Sequence, residues 1–193
     1  FCASTIGGLK RNLTPGEIAG QILAAQRETG QRISHVVVMG TGEPFDNYEN
    51  LAKFLHIIHD PNGLNLSMRN ITVSTCGLVP MIARFAEDFP QVNLAISLHA
   101  VSNEMRDEIM PVNKAYPMET LLSACRDYTQ KTARRVTFEY TLVKGVNDSA
   151  EYARKLAARL QGMLCHVNLI PLNKVEETGY DTSERGAVLR FQQ

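Results

Sequence analysis

Five short apolar runs rich in β-branched residues alternate with amphipathic segments along this chain, and that alternation restricts the folds open to it. The runs cover residues 34–39, 70–74, 91–97, 135–143 and 165–170. A parallel strand pair needs a crossover long enough to hold a helix, so alternation of this kind predicts an α/β fold with a parallel sheet. An open Rossmann-type sheet and a barrel of βα units both satisfy it. At 193 residues the chain can bury one core, and 44% hydrophobic against 21% charged content places it among globular sequences. No internal repeat, low-complexity stretch or linker divides it.

The intervening segments carry helix signals of their own. Thr14-Pro15-Gly16-Glu17 combines a cap, a proline in the first turn and the glutamate of a capping box. Ile18, Ile22 and Ala25 then recur at helical spacing, and Gly30 can end the helix. Asn47 is placed to cap a second helix with Leu51, Phe54, Leu55 and Ile58 on one face. Further helices are expected over about residues 80–89 and 117–130. Another opens at Asp148 and Glu151 with Tyr152, Leu156 and Leu160 inward, and a last one runs from Thr182 onward. Residues 98–116 read as a long connection, a length that often carries function.

Polar residues collect where the strands end. Val36-Val37-Val38 reads as a strand buried on both faces and runs into Met39-Gly40-Thr41-Gly42-Glu43-Pro44. Two glycines let a backbone approach a ligand closely. The Glu43 carboxylate can accept hydrogen bonds from a cation such as an ammonium, worth about 1.5–3 kcal/mol when well made. A solvated strand-to-helix turn accounts for the same residues equally well. Ser74, Ser97, His99 and Asn173 also lie at or just past strand C-terminal ends. Singly, each has an ordinary reading: a strand-ending serine, a packed histidine, an asparagine capping a turn. Together with Glu43 they occupy four strands and favour a barrel, where such ends converge on one mouth. No G-x-G-x-x-G pattern follows any strand, which weighs against a dinucleotide-binding sheet.

The remaining chemistry-bearing residues exclude several classes. Lys+Arg and Asp+Glu both number 20, so no basic excess announces a nucleic-acid partner, although a local patch can hide in a neutral total. Lys131, Arg134, Arg135, Arg154 and Lys155 read as solvated faces. No apolar run reaches membrane-spanning length. Cys2, Cys76, Cys125 and Cys165 are too widely spaced for a disulfide framework, which makes a cytosolic compartment the expectation. Cys76, Cys125 and Cys165 read as small buried hydrophobes, and Cys2 taken alone as inert. His35, His56, His59 and His166 show no metal-ligand spacing.

Several stretches, taken in order, carry a family resemblance. They are Phe1-Cys2-Ala3-Ser4-Thr5, Arg11-Asn12-Leu13-Thr14-Pro15-Gly16-Glu17-Ile18 and the turn ending at Pro44. Thr72-Val73-Ser74-Thr75-Cys76-Gly77, Ala95-Ile96-Ser97-Leu98-His99-Ala100 and Arg106-Asp107-Glu108-Ile109-Met110-Pro111-Val112-Asn113-Lys114 follow. Tyr140-Thr141-Leu142-Val143-Lys144-Gly145-Val146-Asn147-Asp148 and Asn168-Leu169-Ile170-Pro171-Leu172-Asn173 complete the set. Across essentially the whole chain these resemble the radical S-adenosylmethionine (radical-SAM) RNA adenine methyltransferases of the RlmN/Cfr family. Lys174 departs from the family, which usually has proline after the asparagine.

The resemblance implies a partial (βα)6 TIM-like barrel of the radical-SAM type. The chain would be one core domain over residues 1–193, with the first strand and the C-terminal part lying outside it. It implies a [4Fe–4S] cluster held by a Cys-x3-Cys-x2-Cys motif, of which Cys2 matches the third cysteine, and soft thiolates suit such clusters. It implies S-adenosyl-L-methionine as cofactor, with Gly42 and Glu43 at its methionine end and Ser74, Ser97, Leu98, His99 and Asn173 as further contacts. The family's two reaction cysteines would lie beyond both ends, so no catalytic residue is assigned within the chain. The chain alone is expected to be inactive and to hold no stable cluster, since one thiolate cannot replace three. The implied activity is methylation of carbon 2 of adenine in large-subunit ribosomal RNA and in tRNA, with an electron donor such as flavodoxin, in the cytoplasm and with no membrane partner. Carbon-8 methylation, another radical-SAM activity and a noncatalytic nucleoside- or protein-binding barrel are the alternatives.

Overall fold

Strands that are neighbours in sequence are also neighbours in space. The computed structural model describes residues 7–173 and 179–193, so Cys2 and Lys174 lie outside the described residues. Five strands, β1 (Val36–Val38), β2 (Ile71–Thr75), β3 (Asn93–Ser97), β4 (Val136–Leu142) and β5 (Cys165–Pro171), form one sheet in the order β1-β2-β3-β4-β5. Every pair is parallel. Parallel crossovers are right-handed, so an order that never reverses carries its helices on one face. A doubly wound sheet needs a reversal. The strand order thus removes the Rossmann alternative and leaves the barrel type.

The crossovers are α1 (Pro15–Thr29), which precedes β1, then α2 (Tyr48–His59), α3 (Val79–Asp88), α4 (Asn103–Ile109), α5 (Met118–Thr132), α6 (Ala150–Leu160) and the closing α7 (Arg185–Gln192). Local signals determine some of their ends. In α1 the Thr14 hydroxyl accepts the Glu17 N–H while the Glu17 carboxylate accepts the Thr14 N–H, the expected capping box, and Gly30 closes the helix at φ 66°. The apolar faces fall as the periodicity predicts: Leu51, Phe54, Leu55 and Ile58 of α2 are buried, as are Leu156 and Leu160 of α6. Against them lie Ile71, Val73, Leu94, Ile96, Val136, Phe138, Tyr140 and Leu142. Each such side chain, fully buried, contributes about 1.5–3 kcal/mol.

Several expectations need correction. Val36-Val37-Val38 is not buried on both faces: Val37 is 65% exposed. β1 pairs only with β2 among the described strands, and the side of an edge strand away from the helices has no cover. Asn47 does not cap α2. It ends a short 3-10 helix, Pro44–Asn47, that leads into α2, and its amide is spent on the Leu13 carbonyl and on Asn50. Ser149, not Asp148, caps α6. Residues 98–116 are not an open connection but hold α4 and a 3-10 turn, Pro111–Lys114. The last helix begins at Arg185. Thr182 instead bridges to Val143 and donates its hydroxyl to the Leu172 carbonyl.

Candidate functional site

Because all five strands are parallel, their C-terminal ends share one edge of the sheet, and each expected site residue in the described chain lies on or beside that edge. Side chains alternate along a strand. Ser74 and Ser97 fall in the alternate set, away from the helix-packed Val73 and Ile96. Asn173 follows β5 and is exposed.

The turn after β1 stands open. Gly40 and Gly42 adopt φ 146° and 108°, values that disfavour any other residue, and a Cβ at either would meet nothing within 4 Å. Glu43 is tethered at both oxygens: Oε1 accepts the Phe45 N–H at 3.0 Å and Oε2 the Cys76 N–H at 2.7 Å. A carboxylate accepts about four hydrogen bonds, so acceptor capacity remains for a ligand. The turn borders a cavity of about 140 Å³ that Arg11, Leu13 and Ile18 also line. That volume accommodates one end of a ligand of ordinary size, not the whole of it.

The end of β3 is built in the opposite way. Leu98 and His99 both donate backbone N–H groups to the Glu139 carbonyl. Arg106, 0% exposed, donates Nε to the Leu98 carbonyl and one terminal nitrogen to the carbonyls of Cys76 and Ser97. Its other terminal nitrogen reaches the Asn113 Oδ1 at 3.1 Å. Burial pulls the guanidinium below its ordinary value. The His99 carbonyl accepts from the Asn147 amide, which also donates to Thr141 O while its Oδ1 accepts the Val143 N–H. His99 sits at φ 56°, and its Nδ1 accepts the Thr141 N–H at 3.0 Å, which places the proton of the neutral ring on Nε2. Burial, then the Arg106 charge, lowers its pKa to about 4.

Of the described cysteines, Cys125 is buried as expected, whereas Cys76 and Cys165 are only half-buried. Burial, then the neighbouring Glu43 carboxylate, pushes the Cys76 thiol far up, and burial raises Cys125 to about 12. Both stay protonated and unreactive at neutral pH. Of the basic residues near the opposite end of the sheet, Lys131 pairs with Glu87 and Arg134 with Asn93. Sequence reasoning did not single out Arg106, Asn113, Asn147 or Glu139. Their partners lie on other elements; Arg106, Asn113 and Asn147 had their place inside the quoted motifs as a signal, and Glu139, just before one of them, had none.

A parallel sheet wound in one direction, with polar groups gathered at its C-terminal edge, defines a partial βα barrel with a candidate ligand site at its mouth. The Radical SAM superfamily profile matches residues 1–157, and the chain belongs to that superfamily. It is similar to proteins named "Probable dual-specificity RNA methyltransferase RlmN". That of Geobacillus kaustophilus is 53% identical over 100% of this chain and 53% of its own length. That of Clostridioides difficile is 54% identical over 99% of this chain and 56% of its own. A crystal structure of a radical SAM methyltransferase from Sphaerobacter thermophilus superposes with a TM-score of 0.95 at 48% identity, covering 100% of this chain and 57% of that one. The chain thus spans about half the length of the relatives it matches. Among the described residues no helix is long and apolar enough to cross a membrane.

Proposed function

We propose that this chain is the S-adenosylmethionine-binding core domain of a radical-SAM RNA methyltransferase. Its target is carbon 2 of adenine in large-subunit ribosomal RNA and in tRNA, in the cytoplasm, with flavodoxin as electron donor. The observation that carries the reading is the convergence of Gly42, Glu43, Ser74, Ser97, Leu98, His99 and Asn173 on one sheet edge in a chain of this superfamily. The names of its relatives, dual-specificity RNA methyltransferases, favour RNA as the substrate and more than one kind of target.

The residues present fit S-adenosylmethionine. Open space over Gly42 admits the methionine backbone, and the remaining lone pairs of Glu43 accept its ammonium. Ser74 and Ser97 offer neutral hydrogen bonds to the nucleoside. His99 stays uncharged at neutral pH and adds no positive charge beside a sulfonium. Asn173 offers its amide from the end of β5. When bound, S-adenosylmethionine supplies the methyl group and, on reduction, the radical chemistry of the family. Cys2 is proposed as one ligand of the [4Fe–4S] cluster. Among the described residues no group of three His, Cys, Asp or Glu side chains is placed to hold a metal ion, so that assignment rests on Cys2 and its flanking sequence.

The test is anaerobic reconstitution of the full-length protein with iron and sulfide, then reductant, S-adenosylmethionine and a ribosomal RNA transcript. Formation of 5′-deoxyadenosine together with 2-methyladenosine in digested RNA is expected. Methylation at carbon 8 would move the assignment to the alternative position, and no 5′-deoxyadenosine would overturn the enzymatic reading.

A further inference from the structure

Glu139 is a buried acid for which the fold supplies half a set of partners. It lies in mid-β4 and is 5% exposed. Its neighbours along the strand, Phe138 and Tyr140, pack into the helix-side core, so Glu139 belongs to the opposite set, the one that holds Ser74 and Ser97. Across the sheet its register partners are Ser97 on β3 and Asn168 on β5. Asn168 donates its side-chain amide to Glu139 Oε2 at 2.7 Å. Oε1 accepts no hydrogen bond among the described residues. It is not sealed in either, since Arg134 Nε is the one fully enclosed side-chain polar atom among them without a partner. No Lys, Arg or His among the described residues forms an ion pair with this carboxylate.

A buried charge without a counter-ion is costly, and nothing in the fold calls for one here. A glutamine would accept the Asn168 amide equally well through its carbonyl. The second oxygen is the difference between the two side chains: in a carboxylate it is an obligate acceptor, so it selects a ligand bearing donors. Beside it, one strand spacing away, the Ser97 hydroxyl both donates and accepts. An acceptor-only group next to a donor–acceptor group matches a vicinal diol. The row below, Ser74, Ala95 and Thr137, carries small side chains that leave room over the sheet. Acidic side chains bind ribose hydroxyls in dinucleotide sites for the same reason.

We propose that Glu139 is a specificity-determining residue that takes the ribose diol of the bound nucleoside through Oε1, with Asn168 as the positioning residue that orients the carboxylate. The proposal rests on the S-adenosylmethionine reading above and adds a contact on β4. It makes the site selective for ribose over deoxyribose.

The experiment is calorimetric titration of the full-length, cluster-loaded protein with S-adenosylhomocysteine and its 2′-deoxy and 3′-deoxy analogues. The wild type is expected to favour the ribo form over at least one deoxy form by about 10- to 100-fold, the range for a hydrogen bond to a charged group. Glu139→Gln, with iron content and melting temperature checked, is expected to reduce that ratio to below about threefold. Asn168→Ala, on an exposed position of β5, is expected to lower it in the same direction and serves if Glu139→Gln folds poorly. A wild type that does not distinguish the three ligands overturns the proposal, as does undiminished discrimination in a folded variant. A wild type that binds none of them contradicts the S-adenosylmethionine reading itself, which is a separate failure.

Discussion

The turn at residues 40–43 and the segment at residues 97–99 serve one proposed site, but they are held in opposite ways. In the turn, two glycines face open space, and among the described residues the long-range hydrogen bond is the one Glu43 accepts from the Cys76 N–H. In the 97–99 segment every backbone carbonyl has a side-chain donor, two from Arg106 and one from Asn147, and the His99 ring is bonded as well. Depth in the fold accounts for the contrast. Leu98 and His99 are buried, where an unmet polar group is expensive, whereas water can reach the rim of an edge strand. Damage to the inner segment should therefore appear first as lost stability, and damage to the turn first as lost binding.

The sharpest way to break this comparison is Arg106→Met. It leaves three carbonyls and Asn113 without their donor, and about 3–5 kcal/mol of unfolding free energy should be lost. Arg106→Lys should lose less, because one ammonium satisfies some of those acceptors. Denaturant unfolding measures both, and a loss under about 1 kcal/mol for the methionine variant would mean the clamp is dispensable. Next in size is Glu43→Ala in the full-length protein. Weakening of S-adenosylmethionine affinity by about 10- to 100-fold is expected with iron content unchanged. Equal affinity in the variant would remove Glu43 from the site.

The smallest expected effect per unit is a pH dependence. Folded His99 titrates at about 4 against an ordinary 6.5. Between those values the unfolded chain binds a proton that the folded chain does not, so stability falls as pH drops from 6.5 toward 4 and levels off below. The slope from this group is at most about 1.4 kcal/mol per pH unit, and above pH 6.5 it contributes nothing. His99→Asn keeps an acceptor near the Nδ1 position and tolerates φ 56°. Its stability between pH 4 and 7 should lack that slope, and identical pH profiles for the two proteins would exclude His99 as its source.

Legibility in the sequence followed the distance between partners. The capping box of Thr14 and Glu17 was readable because both groups sit three residues apart on one turn. The inward faces of α2 and α6 were readable because periodicity is local. α4 was not: its seven residues, mostly polar, are too few to show a period. Arg106 read as a charge on a connecting segment, since its carbonyl acceptors lie 8 to 30 residues back along the chain. Glu139 passed for one residue of an apolar strand, because its exceptional feature is an oxygen without a partner among the described residues.

By itself the sequence determined the βα alternation, the positions of most helices and, through ordered motifs spanning the chain, membership of the superfamily, since these depend on residue type and short-range spacing. The tertiary structure decided three further points. It set the strand order that separates a barrel from a doubly wound sheet, placed Arg106 beneath two strand ends, and put Glu139 level with Ser97. Each depends on which strands lie side by side, and that is settled only when the chain packs and its buried polar groups find partners far away in sequence.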